Sequence, residues 1–167
     1  MKSPKHIATI AALAALAVGG VTATAAAKDD GGRIKSDMMI GVPATLTGTK
    51  SPIRGINGGG LPWSIGEAEV SVKSSGKIEA EFQNLILPDR GFNPVASMAV
   101  VVSCLDASNN TVNVMSAPFA VTTGTTPADP GGDADIETKV ALPSPCLAPI
   151  VFITNATGAA WFAVDGL

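Results

Sequence analysis

An all-β fold, a single antiparallel β-sandwich or barrel, is what this chain predicts, and three observations predict it. Seven to nine short segments either alternate apolar and polar residues or run apolar over a few positions. Gly and Pro punctuate the intervals between them, and outside the first 27 residues no segment has helical period. Short strands separated by such turns make sandwiches and barrels. The likeness to immunoglobulin domains is one of general architecture only. No Trp lies between the two cysteines, and no Tyr is present to make a tyrosine corner.

Residues 1–27 read as a secretory signal peptide. Lys2 and Lys5 give a basic start, Ile7 to Val18 is apolar, and Ala25-Ala26-Ala27 offers a small-residue cleavage site before Lys28. A membrane-spanning helix needs roughly 20 apolar residues, and Gly19-Gly20 interrupts this run early. Cleavage leaves 167 − 27 = 140 residues, enough for one domain with a real core. The expected product has no membrane span or lipid anchor and is secreted, periplasmic or extracellular. The leader takes two of eleven basic residues and no acidic one, so the formal charge moves from −3 to 9 − 14 = −5. The remaining Lys and Arg are scattered, which argues against nucleic acid or an anionic membrane surface as a partner.

Residues 28–37 are polar, contain Gly and show no period, and read as a flexible tail ahead of a sandwich domain over 38–167. Met38–Val42 and Ala44–Thr47 predict one edge strand interrupted by Pro43, which cannot donate to a ladder. Gly48 to Pro62 predicts an irregular connection, with Asn57-Gly58 as its turn signal. The clearest hairpin follows. Ala68, Val70 and Val72 share one face, as do Ile78, Ala80 and Phe82, and Ser74-Ser75-Gly76 between them suits a three-residue loop with Gly left-handed.

Pro88 to Gly91 turns. Met98 to Leu105 is nearly all apolar, as in a strand covered on both faces. Thr111–Met115 and Pro118–Thr122 are short strands, and Thr123 to Asp133 reads as an exposed loop. Ala134 to Leu142 alternates, with Ala134, Ile136, Thr138, Val140 and Leu142 inward. A stiff Pro143 to Pro149 stretch leads into a last hairpin, Ile150–Thr154 with Ala160–Val164.

Residue chemistry excludes more than it assigns. His6 is the only histidine and lies in the signal, so a mature chain lacks the usual base for a Ser or Cys nucleophile and any His ligand for zinc or copper. Cys104 and Cys146 form an even pair and predict one disulfide. It would close a loop of roughly 40 residues and stabilise the fold by about 3 to 4 kcal/mol.

Five stretches carry candidate chemistry. If Lys73 faces Lys77, Glu69 falls opposite Glu81, a cross-strand carboxylate pair that suits retaining glycosidase geometry; the plainer reading is a solvated face. Asp129, Asp133 and Asp135 offer oxygen ligands for calcium, the one ion considered for a chain otherwise expected to need no cofactor; the plainer reading is an acidic turn. Cys146-Leu147-Ala148-Pro149 could present a rigid segment to a protease, or simply brace a turn. Asn109-Asn110-Thr111 and Asn155-Ala156-Thr157 match the glycosylation sequon.

Arg54 to Trp63, with its glycine triplet, resembles a phosphate-cradling loop only in composition. No Lys-Ser or Lys-Thr follows the glycines, and a hairpin rather than a helix comes next. Arg54, Asn57 and Trp63 are its candidate contact residues, with Trp63 expected to cap the core. The reading as a whole is a secreted, non-enzymatic binding or structural domain whose partner is an extracellular protein or glycan. A glycan hydrolase using Glu69 and Glu81, and a protease inhibitor, are the alternatives.

Overall fold

The computed structural model of the chain describes residues 32–165; the expected signal peptide, residues 28–31 of the expected tail and the last two residues lie outside them. The strands in chain order are β1 (Gly32–Ser36), β2 (Ile40–Gly41), β3 (Asn57–Gly58), β4 (Ala68–Lys73), β5 (Lys77–Phe82), β6 (Ser97–Leu105) and β7 (Thr111–Met115). They continue as β8 (Phe119–Ala120), β9 (Thr123–Thr126), β10 (Asp129–Gly131), β11 (Ala134–Lys139), β12 (Leu147–Asn155) and β13 (Ala160–Val164). No α-helix occurs among the described residues.

Two larger sheets and one small ribbon result. The first has the order β1-β4-β5-β11 and is antiparallel throughout. The second runs β2-β13-β12-β6-β7, with β3 alongside β13 in parallel and β8 alongside β6. β9 and β10 form the ribbon. Inward residues of both sheets, among them Val72 and Phe82 from the first and Met98 and Val100 from the second, belong to one buried cluster. Phe82 and Phe119 meet edge to face across it, centroids 6.4 Å apart.

Alternation explains β4, β5 and β11: the residues expected inward are buried or half-buried and their neighbours are mostly exposed or half-buried. Gly76 is left-handed, and Glu69 pairs with Glu81 in the expected register. β6 is buried along its whole middle, on both faces. At its Ser103 end Arg54 bridges the neighbouring strands: the Asn113 amide donates to the Arg54 carbonyl at 3.0 Å, and the Arg54 guanidinium donates to the Ala148 carbonyl at 3.0 Å. Asn113 pairs with Ser103, and Ala148 lies in the irregularity of β12 between the partners of Leu105 and Ser103, so the bridge spans the Ser103 end of β6. Cys104 and Cys146 form the disulfide, with Cα atoms 4.9 Å apart and both residues buried.

Four expectations need correction. Gly32–Ser36, read as part of a tail, pairs with β4, and its Ile34 packs against the core. Ala44–Leu46 is a 3-10 turn, not strand, closed by Leu46 N–H donating to the Pro43 carbonyl. In the Gly48 to Pro62 connection the tight turn is Arg54-Gly55, with φ of 50° and 79°, flanked by two bonds between Ile53 and Ile56. Positive φ at both central positions is the signature of a two-residue hairpin turn, and Asn57-Gly58 is instead the strand β3. Thr123–Asp133 is the β9–β10 ribbon rather than a plain loop. Asn93 holds it down: its backbone bonds to Pro130 and Gly124, and its buried side chain donates to the Val95 and Thr122 carbonyls.

Candidate functional site

The outward face of the four-stranded sheet gathers most of the chain's charged candidates. Glu69, Glu81 and Asp135 sit directly opposite one another on β4, β5 and β11 and form a row of three carboxylates. The next row is Ser71, Glu79 and Glu137, and beyond it come Lys77 and Lys139. The two acidic rows differ in compensation. Lys77 Nζ reaches Glu79 at 2.7 Å and Glu137 at 3.0 Å. These bonds hold the Lys77 ammonium above its ordinary pKa and, from the same Lys77 contact, the Glu79 carboxyl below its own. Among the described residues the Glu69 row has one cation in reach, Lys35, at 3.6 Å from Glu69 with both side chains exposed. Like charges directly opposite on a sheet oppose pairing, so this row costs stability that packing elsewhere must offset.

Three surface depressions lie on and beside the same row. The largest, about 410 Å³, is lined by Asp37, Glu67, Glu69, Glu81 and Gln83. A second, about 170 Å³, lies between Glu69, Glu79, Glu81 and Asp135. A third, about 350 Å³, runs from Glu81 to Thr122, Asp133 and Asp135. Neither Glu69 nor Glu81 is buried. A glycosidase substrate needs an enclosing cleft, and both carboxylates stand on an outward sheet face.

The aromatic residues sharpen what this face can hold. Trp63, Trp161, Phe82, Phe152 and Phe162 are buried, and Phe92 and Phe119 are half-buried. These are all seven of the chain's aromatic residues, and none is fully exposed. The site is therefore a polar, carboxylate-rich surface suited to charge-assisted hydrogen bonds with cationic groups.

The calcium candidates are not assembled. Asp129 pairs with Thr126 in the ribbon, and Asp135 stands on β11 opposite Glu81. Asp133 is occupied structurally: its Oδ1 accepts the Asn84 N–H, and its own N–H donates to Thr122 Oγ1. Among the described residues no group of three or more Asp, Glu, His or Cys is placed to hold a metal ion.

Arg54, Asn57 and Trp63 lie away from the carboxylate rows. Trp63 is buried and stacks on Phe162, centroids 4.3 Å apart and planes 26° from parallel. Asn57 is half-buried and paired with Ala160. Arg54 is half-buried and occupied by Ala148 and Asn113, while its Nη1, like Ser103 Oγ beneath the bridge, is buried without a protein partner. Two glycines of the triplet, Gly58 and Gly59, answer a packing need. A Cβ on Gly58 would overlap the Leu46 carbonyl oxygen, and one on Gly59 would lie 3.0 Å from Trp63 Nε1.

In the Cys146–Pro149 stretch, Leu147 is exposed but already paired with Leu105 inside the sheet, and Ala148 takes φ 40°. Of the sequons, Asn155 spends its side chain accepting from Thr157, Ala159 and Ala160, whereas Asn109 is exposed.

Asp135 as third member of the row is the residue that sequence reasoning placed elsewhere, among calcium ligands. Its signal was an outward position between Ala134 and Ile136, but its neighbour follows only once β11 is known to pair with β5. Asp165 was missed altogether. Its carboxylate is buried and accepts the Val151 N–H at 2.6 Å; burial pushes its pKa up, against the lowering effect of that bond. No protein family, curated protein or solved structure matches this chain.

Proposed function

We propose that the chain is an exported, disulfide-braced β-sandwich that acts by binding rather than catalysis, with the carboxylate face of its four-stranded sheet as the contact for a cationic protein surface. Two open sheets sharing one core favour a sandwich over a barrel. The disulfide favours an oxidising compartment. Among the described residues no helix is long and apolar enough to cross a membrane.

The observation that carries the reading is the Glu69–Glu81–Asp135 row, which opposes strand pairing and, among the described residues, has one weak cation beside it. A basic partner would relieve that repulsion. The absence of an exposed aromatic residue favours such a partner over a glycan. The hydrolase reading stands second, supported by the Glu69–Glu81 register alone.

Titration of the purified chain with a hexalysine peptide tests the proposal. Binding should weaken steeply between low and physiological salt, and the variant Glu81→Gln with Asp135→Asn should lose roughly ten-fold in affinity, about 1.4 kcal/mol. Equal affinity in both proteins would place the contact elsewhere.

A further inference from the structure

The geometry points to a second surface, independent of the carboxylate face: the free edge of β7, which pairs antiparallel with the same strand of a second copy of this chain. Among the described residues β7 ends its sheet, with β6 on one side and no strand on the other. Ser116 N–H donates to the Val100 carbonyl. Alternation along an antiparallel ladder therefore aims the backbone groups of Val112 and Val114 at β6, and those of Thr111, Asn113 and Met115 away from it.

Free edges are normally blunted by charge, shortness or cover. The outermost strands at the other ends of the two larger sheets conform. β11 carries Asp135, Glu137 and Lys139; β1 carries Lys35; β2 is two residues long, and Trp63 N–H already donates to the Val42 carbonyl just beyond it. β7, Thr-Val-Asn-Val-Met, has no charged residue and no Pro. Thr111, Asn113 and Met115 are exposed, Met115 to 45%.

Charge and register select the occupant. The chain is acidic, so two copies carry net charge of the same sign, and at this uncharged edge a copy meets no like charge. β7 is also self-complementary. A two-fold axis at Asn113 sets Asn113 against its copy, Val112 against Val114 and Thr111 against Met115. The outward-pointing residues then meet one another, and each of the three pairs exchanges two backbone bonds. The half-buried Val112 and Val114 become cross-strand apolar partners on the inner side. The result is a closed, isologous dimer with one continuous sheet.

Sedimentation equilibrium of the chain as its host processes it tests this, with two double variants. Thr111→Lys with Met115→Lys sets Lys against Lys twice across the axis and should weaken the dimer roughly ten-fold. Thr111→Glu with Met115→Lys sets Glu against Lys at the same places and should restore it to within about three-fold of the parent. A chain that is monomeric at every concentration up to about a millimolar, or a dimer equally strong in both variants, overturns the pairing. Neither variant touches the carboxylate face, so peptide binding and dimerisation fail or hold separately.

Discussion

Gly58 and Gly60 are two apart in one triplet and do different jobs. Gly58 lies against the Leu46 carbonyl with no room for a methyl, whereas Gly60 is exposed and a Cβ there meets nothing within 4 Å. Gly58→Ala should therefore cost about 2 kcal/mol by forced backbone displacement, and Gly60→Ala should stay within about 0.5 kcal/mol of the parent. Urea unfolding midpoints separate the two; equal losses would mean that flexibility, not packing, explains the triplet. Asp165 is the other informative position. Its folded pKa is raised by burial, so the folded state binds the proton more tightly than the unfolded chain does. Stability from this group is greatest below the unfolded value of roughly 3.9 and falls as pH rises through the folded value. Asp165→Asn keeps an oxygen for the Val151 N–H and removes the charge. Its Tm should exceed the parent's by a few degrees at pH 7, with the gap closing towards pH 3; a gap independent of pH would show that the charge is not what costs stability.

Among the elements, those with a clean period were legible and those held by single side chains were not. β4 and β5 announced themselves by alternation, Gly76 fixed their register, and the Glu69–Glu81 pair followed from both. β6 could be read as covered on two faces, though the Arg54 bridge at its Ser103 end could not, because it depends on contacts between residues 94 positions apart. The β9–β10 ribbon looked like a loop because Thr, Gly, Pro and Asp make turns in most contexts. What makes it a ribbon is Asn93, which is fully buried and whose side chain makes three bonds to backbone. Asn93→Ala leaves those backbone groups without a partner and should cost about 3 kcal/mol. Amide exchange should then accelerate across residues 122–133 well before it does in β4 and β5. Uniform acceleration would show the ribbon to be held by something else.

At the scale of the molecule, charge is segregated while the core is shared. Both sheets feed one apolar cluster, yet carboxylates crowd one outward face and the β7 edge carries no charge at all. The two proposed surfaces would therefore differ in their response to salt: screening weakens a cationic contact and leaves backbone pairing between neutral strands nearly untouched. The order of strands carries a further consequence, for synthesis. β13 lies between β12 and the early strands β2 and β3, so residues 40–58 emerge from the ribosome about a hundred positions before the strand that completes their sheet. Pairing of such high sequence separation is slow to nucleate. The second sheet therefore stays incomplete until residues 160–164 arrive, although the local hairpins β4–β5 and β6–β7 need nothing from them.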